Sequence, residues 1–281
     1  MPPPPDCNVA LAERVLTAFL REEAGKFGID RAVLGLSGGV DSAVVLELAA
    51  RAFGPERVLA VAMPYRTSNP VSLELARAAA DHAGTRLEVV EITPMADAFI
   101  AAVPGLAEDD SRTGRLRQGN VMARCRMIVL YDRSAAAGAL VLGTSNKTEL
   151  LLGYGTIHGD LASAINPLGD LYKSQVFALA RHLGVPAEIV ARPPSADLWE
   201  GQTDEQELGF RYAEVDALLH RLVDRRRPRA ALIADGFPAE FVDRIATRIR
   251  ASQFKRRPPV IAKLAARTVN LDFRYARDWG V

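Results

Sequence analysis

The chain has 281 residues, with 35 basic and 34 acidic side chains, so its formal net charge is +1. Apolar residues make up 49% and charged residues 25%, which is typical of a globular protein and excludes a disordered, collagen-like or coiled-coil chain. Two cysteines, Cys7 and Cys125, are too few for a disulfide scaffold or a structural zinc site, and they favour a reducing cytoplasm. We recognise neither a membrane span nor a signal peptide, and the near-neutral charge argues against nucleic acid as a partner.

The first half of the chain alternates predicted helices and strands. An amphipathic helix is predicted over residues 9–24, and short apolar runs predict strands at 31–36, 58–63, 87–92 and 139–143. The segments between these strands predict helices at 43–52, 72–83, 95–103 and 116–137. Strands and helices in this order predict an α/β fold, a doubly wound and mostly parallel sheet with helices on both faces.

The second half of the chain is predicted to be mainly helical. A short helix should begin near Ser145, and another should span residues 173–183, where Gly184 ends it. The composition predicts a disordered tail over residues 1–8 and mobile loops over 104–115 and 192–207. We find no internal repeat, so the prediction is a single domain, 1–281, with a helical carboxy-terminal extension.

A glycine-rich turn, SGGVDS at residues 37–42, follows the first predicted strand and begins a helix. Glycines let backbone N–H groups approach an anion, and the following helix directs its positive end to the same point. Ser37 and Ser42 can donate hydrogen bonds to phosphate oxygens, and Asp41 can hold a Mg²⁺ ion that carries the phosphates. The alternative is a structural strand-to-helix turn, but an aspartate between two serines favours phosphate binding.

Two other functions of this turn can be weighed from sequence. The Walker pattern is absent because no lysine follows the glycines, which argues against a P-loop kinase or GTPase. Residues 35–39, GLSGG, do match the GxSxG nucleophile elbow of serine hydrolases, with His182 or His220 as a formal partner. That elbow usually follows several strands, whereas this one follows the first, so a hydrolase remains the weaker alternative.

The turn resembles the pyrophosphate-binding loop of the ATP pyrophosphatases, and later motifs resemble one group of them, the NAD synthetases. These motifs are GNVMARCRM at residues 119–127, LGTSNKTE at 142–149 with GY and GD after it, NP…DLYK at 166–173, and PPSADLWEGQTDE at 193–205. Several ordered motifs over roughly residues 10–260 are far more specific than the turn alone. The resemblance implies the adenine nucleotide alpha hydrolase-like fold.

The resemblance also implies roles for individual residues. ATP would bind the turn through Gly35, Leu36, Ser37, Gly38, Gly39, Val40 and Ser42, and would also contact Thr144, Lys173 and Ser195. Mg²⁺ would bind Asp41 and Glu149, while the dinucleotide would lie near Arg124, Asp160, Phe254 and Lys255. Asp41, Lys173 and Asp160 are the predicted catalytic residues. Ile157 and Ala164 replace a lysine and an aspartate that some members use on the dinucleotide.

The activity that the resemblance implies is amidation of deamido-NAD (nicotinic acid adenine dinucleotide) by ammonia. ATP would be consumed through an acyl adenylate, giving NAD, AMP and pyrophosphate, in a cytoplasmic homodimer with the dinucleotide at the subunit interface. About 30 residues precede the first strand, fewer than an amidase domain needs, so free ammonia is the expected nitrogen source.

Two further alternatives remain open from sequence. The basic runs near residues 225 and 255 motivate another adenylating enzyme, such as one that modifies tRNA. A regulatory protein that binds ATP without turning it over is the other, although the carboxylates of Asp41 and Glu149 argue against it.

Overall fold

A computed structural model gives the structure of residues 2–194 and 209–269. The sheet of this described part has four parallel strands in the order β3-β2-β1-β4, namely β1 (Ala32–Gly35), β2 (Val58–Ala62), β3 (Arg86–Val89) and β4 (Leu140–Leu142). All four predicted strands are confirmed. β3 ends at Val89 instead of the predicted Ile92, although the N–H groups of Val90 and Ile92 still donate to the carbonyls of Ala62 and Pro64.

Helices connect these strands and form the rest of the chain. In the first half they are α1 (Val9–Gly25), α2 (Val40–Phe53), α3 (Pro70–Ala83), α4 (Thr93–Ala102) and α5 (Arg112–Ala137). In the second half they are α6 (Lys147–Leu152), α7 (Lys173–Leu183), α8 (Ala187–Ala191), α9 (Tyr212–Leu219), α10 (Arg229–Ala234) and α11 (Ala239–Ala251). Within the described part, none of these helices has both the length and the apolar composition that crossing a membrane requires.

Successive residues of β1 face opposite sides of the sheet, as the period of a strand requires. Leu34 belongs to a core with Val45 of α2 and Leu20 of α1. Its neighbour Val33 belongs to a second core with Met122 of α5. Both faces of the sheet are therefore covered by helices, which confirms the predicted doubly wound α/β fold.

Four helices begin earlier than the sequence predicts: α3 and α4 by two residues, α2 by three and α5 by four. α5 begins at Arg112 because the Ser111 side chain accepts a hydrogen bond from the Gly114 N–H at 3.0 Å, a helix cap. Residues 112–115 are thus the first turn of α5 and not the end of a loop. α2 begins at Val40 instead of residue 43, which places Asp41 in its first turn. The single domain, the disordered tail and the mobility of the loops stay predictions.

The carboxy-terminal helices pack around a third core beside the sheet. Phe237, Leu218 and Ile245 are buried there together with Leu152 of α6 and Tyr172 just before α7. This confirms the helical extension. The chain runs from β1 outward to β3 and then returns to the other side of β1 as β4, so the direction of winding changes between β1 and β4. In open α/β sheets ligands bind at such a point.

Candidate active site

The turn after β1 is held by its two serine hydroxyls. Ser42 Oγ accepts a hydrogen bond from the Ser37 N–H at 3.2 Å and donates to the Gly39 carbonyl at 2.9 Å. The Gly39 N–H donates to Ser37 Oγ at 3.2 Å. Gly38 has a positive φ of 76°, and a Cβ there would lie 2.3 Å from the Ser72 carbonyl oxygen. Only glycine therefore fits at residue 38. The turn leads directly into α2, whose cap residue is Gly39.

A lysine ammonium joins two carboxylates directly beside this turn. Lys173 Nζ, at the start of α7, donates a hydrogen bond to Asp41 and another to Glu149 Oε1 at 3.2 Å. Lys173 is only 2% exposed, and the two carboxylates are largely covered. The three residues come from α2, α6 and α7. The structure therefore brings together two predicted magnesium ligands and one predicted ATP contact.

Asn146 connects the same two carboxylates and was not predicted from sequence. Its side-chain nitrogen donates to Asp41 Oδ1 at 2.9 Å, and its side-chain oxygen accepts from the Glu149 N–H at 3.0 Å. The Asn146 N–H in turn donates to Glu149 Oε2 at 3.2 Å, which completes a capping box at the start of α6. The spacing Asn-x-x-Glu before a leucine-rich helix is the sequence signal that could have revealed it.

The donor set of the Asp41 and Glu149 pair fits Mg²⁺. Carboxylate oxygens are hard ligands, and this ion keeps water and phosphate oxygens in most of its six positions. Residues 2–194 and 209–269 contain no group of three or more His, Cys, Asp or Glu side chains suited to a metal. Two carboxylates beside a turn that is predicted to bind phosphate suit an ion that arrives with a nucleotide.

A second group of predicted site residues surrounds residues 153–161, the loop after α6. Lys255 Nζ donates to the carbonyl oxygens of Gly153 and Gly155 at 2.8 and 2.7 Å. Within the loop, Asp160 Oδ1 accepts from the Thr156 N–H at 2.7 Å. Arg124, on α5, donates to the Ile157 carbonyl at 3.3 Å. Arg124, Asp160 and Lys255 thus converge on one loop.

The charges in this second group are perturbed. Crowding by protein atoms raises the pKa of the Asp160 carboxyl, while backbone hydrogen bonds and the nearby Lys255 charge act in the opposite direction. Asp160 is nevertheless exposed at the surface of the loop. Burial likewise lowers the pKa of the Lys255 ammonium, which Asp160 partly offsets. Both shifts favour the uncharged forms of the two side chains.

The remaining predicted site residues have less defined surroundings. Thr144 follows β4 and is half-buried two residues before Asn146. Phe254 is 61% exposed in a short 3₁₀ turn, Gln253–Arg256. Ser195 lies outside the described residues.

The histidines do not support the serine hydrolase alternative. His182 Nε2 lies 2.8 Å from Glu13, and His220 Nδ1 lies 3.1 Å from Asp224. The Ser37 hydroxyl instead contacts Ser42 Oγ and the Gly39 N–H. A nucleophilic serine needs a base within hydrogen-bonding reach, and neither of the two proposed histidines fills that position.

Comparison with known proteins identifies the family. A family model described as NAD synthase matches residues 12–259. A curated NH₃-dependent NAD⁺ synthetase of Chlorobium phaeobacteroides (strain BS1) is 58% identical, and the match covers 97% of this chain and 96% of the relative. One from Trichlorobacter lovleyi is 57% identical, with 97% of each chain covered.

Solved structures agree with this assignment. An NH₃-dependent NAD synthetase of Campylobacter jejuni has a TM-score of 0.76 at 35% identity, and the match covers 92% of this chain and all of that one. An NMN synthetase of Francisella tularensis has a TM-score of 0.79 at 31% identity, with 92% and 99% covered. The family model covers most of the chain, two curated relatives are more than 55% identical over nearly the full length, and the fold agrees with the solved structures, so the chain belongs to the NAD synthase family.

Proposed function

We propose that the chain amidates deamido-NAD with ammonia at the expense of ATP, giving NAD⁺, AMP and pyrophosphate. The observation that carries this proposal is the cluster of Asp41, Glu149 and Lys173 at the end of the phosphate-binding turn. Curated relatives named NH₃-dependent NAD⁺ synthetases, at 58% and 57% identity, support the dinucleotide and ammonia as substrates.

The first half of the reaction transfers the adenylyl group. An oxygen of the nicotinate carboxylate attacks the α-phosphorus of ATP, the bond from that phosphorus to the bridging oxygen breaks, and pyrophosphate leaves. In this proposal residues 35–42 bind the phosphates of ATP, and Thr144 and Ser195 also contact ATP. Lys173 provides a fixed positive charge beside them. Asp41 and Glu149 would hold Mg²⁺, whose positive charge would offset that of the leaving pyrophosphate.

The second half of the reaction forms the amide. Ammonia attacks the acyl carbon, the bond from that carbon to the AMP oxygen breaks, and one proton must leave the nitrogen. We assign the Asp160 carboxylate to orient ammonia and accept that proton, since its raised pKa makes it a stronger base than an ordinary aspartate. Arg124, Phe254 and Lys255 would bind the dinucleotide. The contacts of Arg124 and Lys255 with the loop at 153–161 support this role.

The proposal includes a homodimer in the cytoplasm. Phe99 of α4 and Leu116 and Ile128 of α5 are more than half exposed, as is typical of side chains covered by a partner. Arg124 is on the same helix as two of them, which supports a dinucleotide site beside the interface. The free thiols of Cys7 and Cys125 support a reducing compartment.

A mononucleotide is the second candidate substrate. The structural similarity to an NMN synthetase of Francisella tularensis favours it, because amidation of the mononucleotide needs the same acyl adenylate. The curated relatives at more than 50% identity carry the dinucleotide name, so the dinucleotide is the first candidate.

A product assay separates these functions. The purified protein would be given ATP, Mg²⁺ and ammonium with either deamido-NAD or the nicotinate mononucleotide, and glutamine would replace ammonium in a third reaction. We expect NAD⁺ and AMP in equal amounts from deamido-NAD and ammonium. Faster turnover of the mononucleotide would favour the second candidate, and release of ADP would contradict adenylyl transfer altogether.

A further inference from the structure

A buried chain of hydrogen bonds joins the backbone of Lys173 to a carboxylate on another helix. The Lys173 N–H donates to Thr148 Oγ1 at 3.0 Å, and the Thr148 hydroxyl donates to Asp216 Oδ1 at 2.6 Å. The other oxygen, Asp216 Oδ2, accepts from the Ser174 N–H at 2.7 Å. Because a backbone N–H can only donate, Thr148 must direct its own proton to Asp216, so the direction of each bond is fixed.

Asp216 compensates an unfavourable position of the lysine. Lys173 is the first residue of α7, and a cation is disfavoured at the positive end of a helix. Asp216 is fully buried, and its carboxylate accepts directly from the Ser174 N–H, the second N–H of that helix, and is linked to the first N–H, that of Lys173, through the Thr148 hydroxyl. Burial raises the pKa of the Asp216 carboxyl, while its hydrogen bonds and the charge of Lys173 oppose that rise. A buried carboxylate is costly unless it is bonded in this way.

The helix that carries Asp216, α9, also contacts the ammonium group of Lys173. Tyr212 lies one turn before Asp216 on α9, and its ring centre is 5.1 Å from Lys173 Nζ. Residues four positions apart share one face of a helix, so α9 contacts the Lys173 ammonium through Tyr212 and is linked to the Lys173 N–H through Asp216 and the Thr148 hydroxyl. Thr148 precedes Glu149 on α6. The hydrogen-bonded chain therefore connects α6, α7 and α9 beside the cluster of Asp41, Glu149 and Lys173.

We infer that Thr148 and Asp216 are positioning residues, which hold the start of α7 so that the Lys173 ammonium lies on Asp41 and Glu149. This inference rests on the proposed function, in which Lys173 stabilises charge that develops during adenylyl transfer. A displacement of about 1 Å can cost about 10²-fold in rate. Loss of the Thr148 hydroxyl should therefore lower kcat at least tenfold while the KM for ATP changes less, because a fixed charge acts chiefly on the transition state.

A double-mutant cycle tests the inference through Lys173 itself. We expect Thr148→Val to lower kcat/KM by about 10- to 100-fold and Lys173→Met by about 10²- to 10³-fold. In the Lys173→Met background, Thr148→Val should change the rate less than about twofold, because no ammonium remains to be positioned. If Thr148→Val costs the same factor in both backgrounds, the hydroxyl merely supports the fold and the inference is wrong.

Three further variants serve as controls. Thr148→Ser keeps the hydroxyl and should restore most of the rate. Thr17→Val removes a buried hydroxyl that has no hydrogen-bond partner among the described residues, and it should leave the rate unchanged. Asp216→Asn keeps the size of the side chain but removes its charge, so it should repeat the effect of Thr148→Val even if that variant is unstable.

A crystal structure of Asp216→Asn separates this inference from the proposed function. We expect Lys173 Nζ to have moved away from Asp41 and Glu149. An unchanged ammonium position would overturn the inference whatever the reaction is. A wild-type protein that makes no NAD⁺ from deamido-NAD would instead overturn the proposed function.

Discussion

Gly38 shows how a single residue position constrains the backbone of the turn after β1, which we propose binds phosphate. Its φ is +76°, and an added Cβ would lie 2.3 Å from the Ser72 carbonyl oxygen. Gly28 has a similar φ of +66°, but a Cβ there would meet nothing within 4 Å. We expect Gly28→Ala to cost about 1–2 kcal/mol for the left-handed backbone alone. Gly38→Ala should cost more, because the same backbone strain is joined by a clash.

Urea denaturation of both glycine variants measures this difference, and ATP titration measures the effect on the turn. Gly38→Ala should also bind ATP more weakly than the wild-type protein does. Equal losses of unfolding free energy in the two variants would show that the contact with Ser72 is not limiting.

Asp41 is the residue that α2 contributes to the cluster of Asp41, Glu149 and Lys173. It accepts hydrogen bonds from Lys173 and Asn146 and is a proposed magnesium ligand. We expect Asp41→Asn to lower the rate of NAD⁺ formation by about 10²- to 10³-fold. Asp30→Asn, which breaks an exposed ion pair with Arg57, is the matched control and should leave the initial rate unchanged. A wild-type rate for Asp41→Asn would remove this residue from the mechanism.

Tyr65 links the segment after β2 to α4 by a hydrogen bond to Asp97 Oδ1 at 2.7 Å. Burial, reinforced by this bond, raises the pKa of Tyr65 from 10.0 to about 12. The folded protein therefore keeps the phenol proton more firmly than the unfolded chain. The stability that this provides is complete below pH 10 and is lost as the pH rises toward 12.

Tyr65→Phe tests that pH dependence. At about pH 8 the variant should be less stable by about 1 kcal/mol, because it lacks the hydrogen bond. At about pH 11 the difference should shrink, since only the wild-type protein loses stability by ionisation of this phenol. Urea denaturation of both proteins at the two pH values gives the comparison. A difference that stays constant or grows would contradict the raised pKa.

Lys255 fixes the loop at residues 153–161 through two backbone carbonyls. Lys255→Met keeps much of the apolar stem but leaves both carbonyls without this donor, which should lower the unfolding free energy by about 1–3 kcal/mol. It should also raise the KM for deamido-NAD more than the KM for ATP. Arg229→Met, which removes an exposed ion pair with Asp243, is the control. Equal changes in both KM values would argue against a dinucleotide role.

Local pattern accounts for much of the fold and for part of the site. The apolar runs predicted each strand; in β1, β2 and β4 this is because a buried parallel strand needs apolar side chains on both faces, whereas β3 is a partly exposed edge strand. The start of α2 was placed too late, since the alanine-rich stretch begins three residues after the true amino terminus. Asn146 could have been found from its capping pattern. Asp216 could not, because 68 positions separate it from Thr148 and only tertiary packing brings them together.

At the scale of the whole molecule, the exposed apolar side chains of α5 predict the proposed dimer. Ile128→Asp places a charge on that face and should shift the protein to a monomer in sedimentation velocity, with a lower rate of NAD⁺ formation. Phe27→Asp changes a still more exposed apolar residue just after α1 and should leave the dimer intact. A wild-type protein that sediments as a monomer at assay concentration would contradict the dimer.

An oxygen-labelling experiment tests the acyl adenylate itself. Deamido-NAD carrying ¹⁸O in both oxygens of its nicotinate carboxylate would be converted with ATP, Mg²⁺ and ammonium, and the AMP would be analysed by mass spectrometry. Because the attacking oxygen stays on phosphorus when the acyl–oxygen bond breaks, AMP should gain one ¹⁸O and the amide of NAD⁺ should keep the other. AMP without label, or ¹⁸O in the pyrophosphate, would show that the carboxylate never attacks the α-phosphorus.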